Sequence, residues 1–367
     1  MNVPKLRFKE FNDEWKKAQL SSFVNINPKN DSLPEKFIYI DLESVNNGLL
    51  TSRKIINKSE APSRAQRTII KNDILYQTVR PYQMNNLFIN SLDSTYPYIA
   101  STGYALLRTE ENPYFVYSIL HQKSFVNKVL DKCTGTSYPA ISANDLGAII
   151  VGLPSIKEQE KISRTFELLD KKIELQSKKI EDLKLFKKGL LKKQYNYIKN
   201  KNLVELSDIA NIYQPQTIAQ NKLDNGKYFV FGANGIIGKY SKYNHKQKQI
   251  TISCRGENSG KVNITPEECW ITGNSMVLNI DNNSNVDKLY LKCILDAQNL
   301  RYLISGSGQP QITRRVILKH KIPLLPILEQ KKFRNPFIKL DLKILLEEAK
   351  VNKLLDIKKG LMQNMFV

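Results

Sequence analysis

Only four cysteines occur in 367 residues, Cys133, Cys254, Cys269 and Cys293, and no two share a CxxC spacing. That excludes a disulfide framework and a thiolate zinc cluster, and it leads us to expect reduced, buried thiols in a cytoplasmic protein. The histidines His121, His245 and His320 lie far apart and have no metal-ligand spacing with cysteine or carboxylate, so they read as surface or satisfied structural residues. No apolar run approaches the roughly 18 residues of a membrane span. The opening Met1-Asn2-Val3-Pro4-Lys5-Leu6 lacks the charged-then-apolar layout of a secretory signal. Acidic residues are scarce as well: 35 Asp+Glu stand against 56 Lys+Arg, a net charge of +21. A field of that sign favours polyanions, because each phosphate neutralised releases condensed counterions. An apolar content of 41% suffices for packed cores, and the length suits two or three domains.

Catalytic signatures are also missing. Gly256-Glu257-Asn258-Ser259-Gly260-Lys261 is one residue short of a phosphate-binding loop, and Val262 stands where a Mg²⁺-ligating Ser or Thr is needed, so it reads as a hairpin turn. Asn112-Pro113-Tyr114-Phe115 resembles the Asn-Pro-Pro-Tyr loop of amino-methyltransferases but lacks the second proline, and no glycine-rich cofactor loop precedes it. It reads as a turn opening a helix. No catalytic residue and no metal site is assigned.

What the chain does contain is a repeat. Shifted by 171 residues, 135–190 aligns with 306–361 without a gap, and 20 of those 56 positions are identical. Glu158-Gln159 meets Glu329-Gln330, Leu169-Asp170 meets Leu340-Asp341, and Lys187-Lys188-Gly189-Leu190 meets Lys358-Lys359-Gly360-Leu361. A weaker echo, Leu20-Ser21 and Asn25-Ile26 with Leu206-Ser207 and Asn211-Ile212, has a shift of 186. Each half is therefore a variable body followed by a matched tail.

The tails carry heptads. One ladder runs Ile162, Phe166, Leu169, Ile173, Gln176, Ile180, Leu183, Lys187, Leu190; its copy runs Phe333, Phe337, Leu340, Ile344, Glu347, Val351, Leu354, Lys358, Leu361. Alternating steps of four and three make the seam of a coiled coil, and matched polar rungs favour pairing of the two helices on each other over separate docking. The bodies hold short aromatic and β-branched runs, such as Lys36–Ile40, Lys227–Phe231 and Gln249–Ser253, which predict strands. Helices are predicted from Tyr114 to Val129 and from Val286 to Leu303. The expected fold is α/β (α+β): a body over 1–153, a helix over 154–200, a second body over 201–325 and a second helix over 326–367.

The first tail, Leu153-Pro154-Ser155-Ile156-Lys157-Glu158-Gln159-Glu160-Lys161-Ile162 through Leu183-Lys184-Leu185-Phe186-Lys187-Lys188-Gly189-Leu190-Leu191, resembles the conserved-region helix of type I restriction specificity subunits. The opening Pro4-Lys5-Leu6-Arg7-Phe8 with Phe11 and Trp15, and the loop Thr134–Ser142, are similar to that family too. The second half departs from the pattern: Ser305–Ile312 is looser, and Pro336 is expected to break the copied helix early.

The resemblance implies a non-catalytic adaptor in which two target-recognition domains each read half of a split, asymmetric site in double-stranded DNA. It implies two methyltransferase subunits and restriction (motor-nuclease) subunits as partners, with S-adenosylmethionine, ATP and Mg²⁺ held by those partners and none by this chain. A coiled-coil scaffold without DNA binding and an independent DNA methyltransferase or nuclease are the competing readings.

Arginine grips guanine edges and Asn or Gln grips adenine, and loops after strands often carry binding groups. On that basis the candidate DNA contacts are Arg80, Tyr82, Gln83, Thr136, Ser137 and Tyr138 in the first body, and Arg255, Asn258, Ser259, Lys261, Ser307 and Gln309 in the second. The candidate helix-pairing residues are Ile162, Leu169, Ile173, Gln176, Ile180 and Leu183 against Leu340, Ile344, Glu347, Val351 and Leu354. A pseudo-twofold axis requires antiparallel pairing, with Gln176 near Glu347. Helices of about 30–40 residues span about 45–60 Å, enough to act as a ruler over about one DNA turn, roughly 34 Å.

Overall fold

A computed structural model describes residues 3–29, 32–46, 48–135, 137–233, 235–305 and 311–367. It is a mixed α/β chain dividing into two compact units, Met1–Gln176 with Lys350–Val367, and Ser177–Ala349. Each unit holds one body and a part of each of two long helices, Ile156–Ile198 and Ile327–Asn364.

In the first unit, strands Val24–Ile26, Tyr104–Thr109, Ile74–Gln77 and Leu87–Phe88 form an antiparallel sheet in the order given. Lys54–Asn57, Lys36–Ile40, Tyr98–Ser101 and Ala65–Ile69 form a mixed one, in which Lys36–Ile40 and Tyr98–Ser101 run parallel. Side chains alternate across these strands. Ile74, Tyr76, Ala105 and Leu107 enter the core beneath the helices, whereas Leu75, Tyr104 and Leu106 join Ile38, Ile40 and Tyr98 in a second cluster. Phe37 and Tyr39 turn to a third. Strands buried on both faces need near-continuous apolar sequence, which is what Lys36–Ile40 and Ile74–Gln77 supply.

The second unit repeats the first sheet with Asn211–Tyr213, Ser275–Asn279, Ile250–Ser253 and Val262–Ile264, again antiparallel. Tyr228–Gly232 pairs with Gly235–Tyr240 and, in parallel, with Trp270–Ile271. The predicted strands at 36–40, 227–231 and 249–253 are present to within a residue.

Two predicted helices are interrupted. Tyr114–Val129 divides into Pro113–Ile119 and Lys123–Lys132, because the chain turns extended at Gln122. Val286–Leu303 becomes Lys288–Gln298, ended by Asn299 in the left-handed region at φ 52°, and then a 3-10 turn, Leu300–Leu303. Pro336 does not break its helix, which continues unbroken from Ile327 to Asn364. The proline forfeits one backbone hydrogen bond, but Phe333 and Phe337 on either side of it are buried in the second core, with ring centroids 5.6 Å apart.

Within each unit the long helices pair antiparallel. In the second, Lys179 meets Glu347 at 2.8 Å, Lys184 meets Glu348 at 2.7 Å and Lys187 meets Asp341 at 2.5 Å, so partner numbers fall as the central helix proceeds. In the first, Asp170 meets Lys358 at 2.5 Å, and Leu361 and Met362 pack into the core that holds Ile162 and Phe166. Every expected rung is buried or half-buried: Ile162, Ile180, Ile344 and Glu347 are buried, and Leu169, Ile173, Gln176, Leu183, Leu340, Val351 and Leu354 are half-buried. Glu347 accepts from Lys179, one turn beyond Gln176. Among the described residues, no helix is long and apolar enough to cross a membrane.

Candidate nucleic-acid interface

The strand Ile74–Gln77 ends in a tight loop. Arg80 is left-handed at φ 55° and opens a 3-10 turn, Pro81–Gln83; Met84, also left-handed at φ 51°, closes it. Strain of this kind in non-glycine residues persists only where the surroundings hold it, and here they do. The Gln77 side-chain Nε2 donates to the carbonyl of Val79 at 2.7 Å and to Gln83 Oε1 at 2.8 Å, and its Oε1 accepts from the Asn85 N–H. The Arg80 N–H donates to the Pro139 carbonyl at 2.7 Å, and Val79 bridges Ala140. The guanidinium of Arg80 lies over the ring of Tyr138, 4.3 Å from its centroid. The structure thus brings together the two candidate segments of the first body. Tyr82 and Tyr138 are 50% and 64% exposed, which leaves their rings available to a ligand.

The second body builds the same junction from different residues. Strand Ile250–Ser253 runs into Cys254 and Arg255. Arg255 bridges Gln311 as Val79 bridges Ala140, and Ser305 bridges Gln311 as Thr134 bridges Ala140. The Ile312 N–H donates to the Cys254 carbonyl at 3.0 Å, matching Ile141 to Thr78 at 3.1 Å. Positions 140, 141 and 134 map onto 311, 312 and 305 by the 171-residue shift, so one backbone scaffold carries different side chains in each copy. Burial pushes the Cys254 thiol up to about 11, so it stays protonated beneath the exposed Arg255.

The segment Arg255–Lys261 is a hairpin turn between Ile250–Ser253 and Val262–Ile264, as its sequence suggested. Gly260, at φ 85°, lies so close to Leu300 and Arg301 that a Cβ would stand 3.1 Å from their backbone. Ser259 departs from the expectation of a DNA contact. It is fully buried, and its hydroxyl donates to the Gly256 carbonyl at 2.8 Å, so it closes the turn instead of facing a ligand. Asn258 is half-buried, whereas Arg255 and Lys261 are exposed. Ser137 is exposed beside Tyr138. Thr136, Ser307 and Gln309 lie outside the described residues.

Two residues at these sites were not singled out from the sequence. Met84 is 40% exposed in the first loop, and Arg301 donates to the Glu257 carbonyl at 3.0 Å in the second turn. Met84 carries no sequence signal. Arg301 is separated from the turn by a whole helix.

An open groove of about 920 Å³ lies elsewhere on the first body, lined by residues of Gln19–Ile26, Arg108–Glu111 and Ala143–Ala148. At the matching place in the second body, Arg314 stands where Ala143 does and donates to the Ile212 carbonyl at 2.7 Å. The three histidines are structural. His121 bonds the Tyr117 carbonyl, His245 bonds Tyr213 and Asn244, and His320 bonds Gln298 and Tyr302. Asn112 caps Pro113–Ile119 by accepting from the Phe115 N–H.

The chain is similar to known proteins in sequence and in fold. Over 187 residues the chain is 26% identical to the type I restriction enzyme HindI specificity subunit of Haemophilus influenzae, a match covering 49% of this chain and only 40% of that protein. Over 292 residues it is 24% identical to the type I restriction enzyme MjaVIII specificity subunit of Methanocaldococcus jannaschii, covering 68% of each. The crystal structure of a type I restriction-modification system S subunit from M. genitalium has the same fold, with a TM-score of 0.63 at 18% identity, covering 100% of this chain and 99% of that one. The family model of the type I restriction modification DNA specificity domain matches twice, over residues 12–185 and 198–356. Matched through both bodies and along most of both helices, this chain belongs to the type I restriction modification DNA specificity family.

Proposed function

We propose that this chain is the DNA-reading, non-catalytic subunit of a cytoplasmic type I restriction-modification complex, each body reading one half of a split, asymmetric site. The observation that carries this reading is the repeated junction. Arg80 with Tyr138 in the first body, and Arg255 with Gln311 in the second, stand on one backbone scaffold with unlike side chains. A duplicated scaffold with divergent contact residues suits two different half-sites, much as protein symmetry mirrors operator symmetry. The net charge of +21 supplies the sequence-independent attraction to phosphate.

In this reading the long helices form the ruler. Two methyltransferase subunits dock on those helices and bring S-adenosylmethionine; motor-nuclease subunits bring ATP and Mg²⁺. Single-molecule methylation sequencing of the host genome, with and without this gene, tests the proposal. The expected result is loss of methylation at one bipartite motif. An unchanged methylome together with no footprint of the assembled complex on DNA would favour a scaffold. Methylation by the purified chain with S-adenosylmethionine alone, or cleavage with Mg²⁺ alone, would show an independent enzyme.

A further inference from the structure

Gln159 and Gln330 occupy the same place in the two tails, and each is fully buried where its long helix leaves its body. In the first, Oε1 accepts from the Asn112 N–H at 3.2 Å, and Nε2 donates to Glu111 Oε2 at 2.8 Å and to the Pro154 carbonyl at 3.0 Å. In the second, Oε1 accepts from the Asp287 N–H at 2.8 Å, and Nε2 donates to the carbonyls of Asn285 and Leu325 at 2.7 Å each. Asn112 and Asp287 are the N-caps of Pro113–Ile119 and Lys288–Gln298. Pro154 and Leu325 are equivalent by the 171-residue shift. One carboxamide therefore ties three points in each copy: the long helix, the strand end that enters it, and the start of a body helix.

One turn further on, the contact is kept but its chemistry is not. Ser163 Oγ donates to Asn112 Oδ1 at 2.7 Å, whereas Arg334, the equivalent position, forms a 2.9 Å ion pair with Asp287. The glutamine is thus the constant element of a joint whose other parts have diverged. Its hydrogen bonds are directional, and a buried amide left without partners is costly because it has given up water for nothing. A different angle between helix and body would break these bonds together.

We propose that Gln159 and Gln330 are positioning residues that fix the angle at which each recognition domain leaves the helix, and so set the spacer length between half-sites that the complex accepts. This rests on the two-half-site reading above. The glutamines touch no base; they act through the domains they hold.

The test uses the full chain assembled with its methyltransferase subunits, and a DNA library in which both half-sites are fixed and the spacer varies around the native length. Wild type should methylate the native spacer alone. Gln159→Met, which keeps the volume and removes all three bonds, should lower native-spacer methylation by about tenfold while raising neighbouring spacers relative to it, with both half-site sequences unchanged. Gln159→Glu should act in the same sense, and adding Glu111→Gln, which restores a donor facing the new carboxylate, should recover spacer discrimination. A variant that loses methylation by one common factor at every spacer, with no recovery in the paired variant, would reduce the glutamine to a stability role and overturn the proposal. If wild type itself directs no methylation of any spacer, the two-half-site reading fails first, and this inference falls with it.

Discussion

Lys358 and Asp170 form, 2.5 Å apart in the first unit, the ion pair that Lys187 and Asp341 form, also 2.5 Å apart, in the second. Each member maps onto its counterpart by the 171-residue shift, so the helix register is written twice. Both side chains of the first pair are about a third exposed, at 32% and 33%, which limits its worth to about 0.3–1 kcal/mol after solvent screening. Asp170 →Lys should lower stability by about that much or more, because it also ends the hydrogen bond from the Tyr114 hydroxyl. Asp170→Lys combined with Lys358→Asp should regain part of the loss. Urea denaturation of the four proteins in a double-mutant cycle measures the coupling; additive losses would deny the pair any role in register.

Phe366 closes the first core. It is 8% exposed, and its ring centroid lies 5.6 Å from that of Phe115, 5.8 Å from Phe166 and 6.3 Å from Trp15. Phe366→Ala should destabilise the chain by about 3–5 kcal/mol. Native-state hydrogen exchange should show that loss in the first body and leave the second body's strands protected.

The DNA-reading assignment predicts that Arg80→Ala and Arg255→Ala each weaken binding of the assembled complex to its site by about 1–3 kcal/mol, each at a different half-site. Tyr138→Ala should reproduce part of the Arg80 effect, because it removes the ring under the guanidinium. Competition binding against sites altered in one half or the other reads this out. Unchanged affinity in both arginine variants would remove these loops from the interface.

Stability should rise with pH through the histidine range. Burial holds His121, His245 and His320 below the ordinary histidine value. An unfolded histidine titrates near 6.5, so as pH falls through that value the unfolded chain takes up protons that the folded chain refuses. Stability is fully present above about pH 6.5 and declines toward the lower folded-state values. His121, whose ring bonds the Tyr117 carbonyl at 2.8 Å, should contribute one share. His121→Gln should therefore flatten the slope of unfolding free energy between about pH 6.5 and 5.5. An identical slope in that variant would show that His121 titrates alike in both states.

A ruler made of paired helices predicts one further outcome. Inserting one heptad at equivalent places in both helices should lengthen the accepted spacer and leave both half-site sequences unchanged. Methylation sequencing of cells carrying the doubly inserted chain reads this directly. An unchanged spacer would separate the helices from the measuring function.

The tails were the most legible part of the sequence, because a periodic seam needs only local spacing to be recognised. All the rungs from Ile162 to Leu190 and from Phe333 to Leu361 are buried or half-buried. Pro336 was misread because its effect depends on what Phe333 and Phe337 meet, and their partners lie in a distant body. Ser259 was misread for a similar reason. A polar residue in a turn looks exposed in sequence, whereas Ser259 is buried with its hydroxyl turned back on the Gly256 carbonyl, and nothing near it in sequence announces that. Gln159 and Gln330 were visible as a repeated pair. Their role was not, since the groups they hold, Glu111, Asn112, Asn285 and Asp287, sit in the bodies where the two copies no longer align.

The second unit is a single uninterrupted stretch, Ser177–Ala349, whereas the first needs both Met1–Gln176 and Lys350–Val367. Synthesis on the ribosome therefore delivers the parts out of order. The second unit has all its chain before the first unit has its closing segment, and Trp15, made before both, must wait for Phe366. Until then the apolar surface around Trp15, Phe115 and Phe166 stays open to water, to chaperones and to other nascent chains. A stop between Lys350 and Phe366 would spare the second unit and strand the first, so the body made earlier depends on chain made after the other unit is complete.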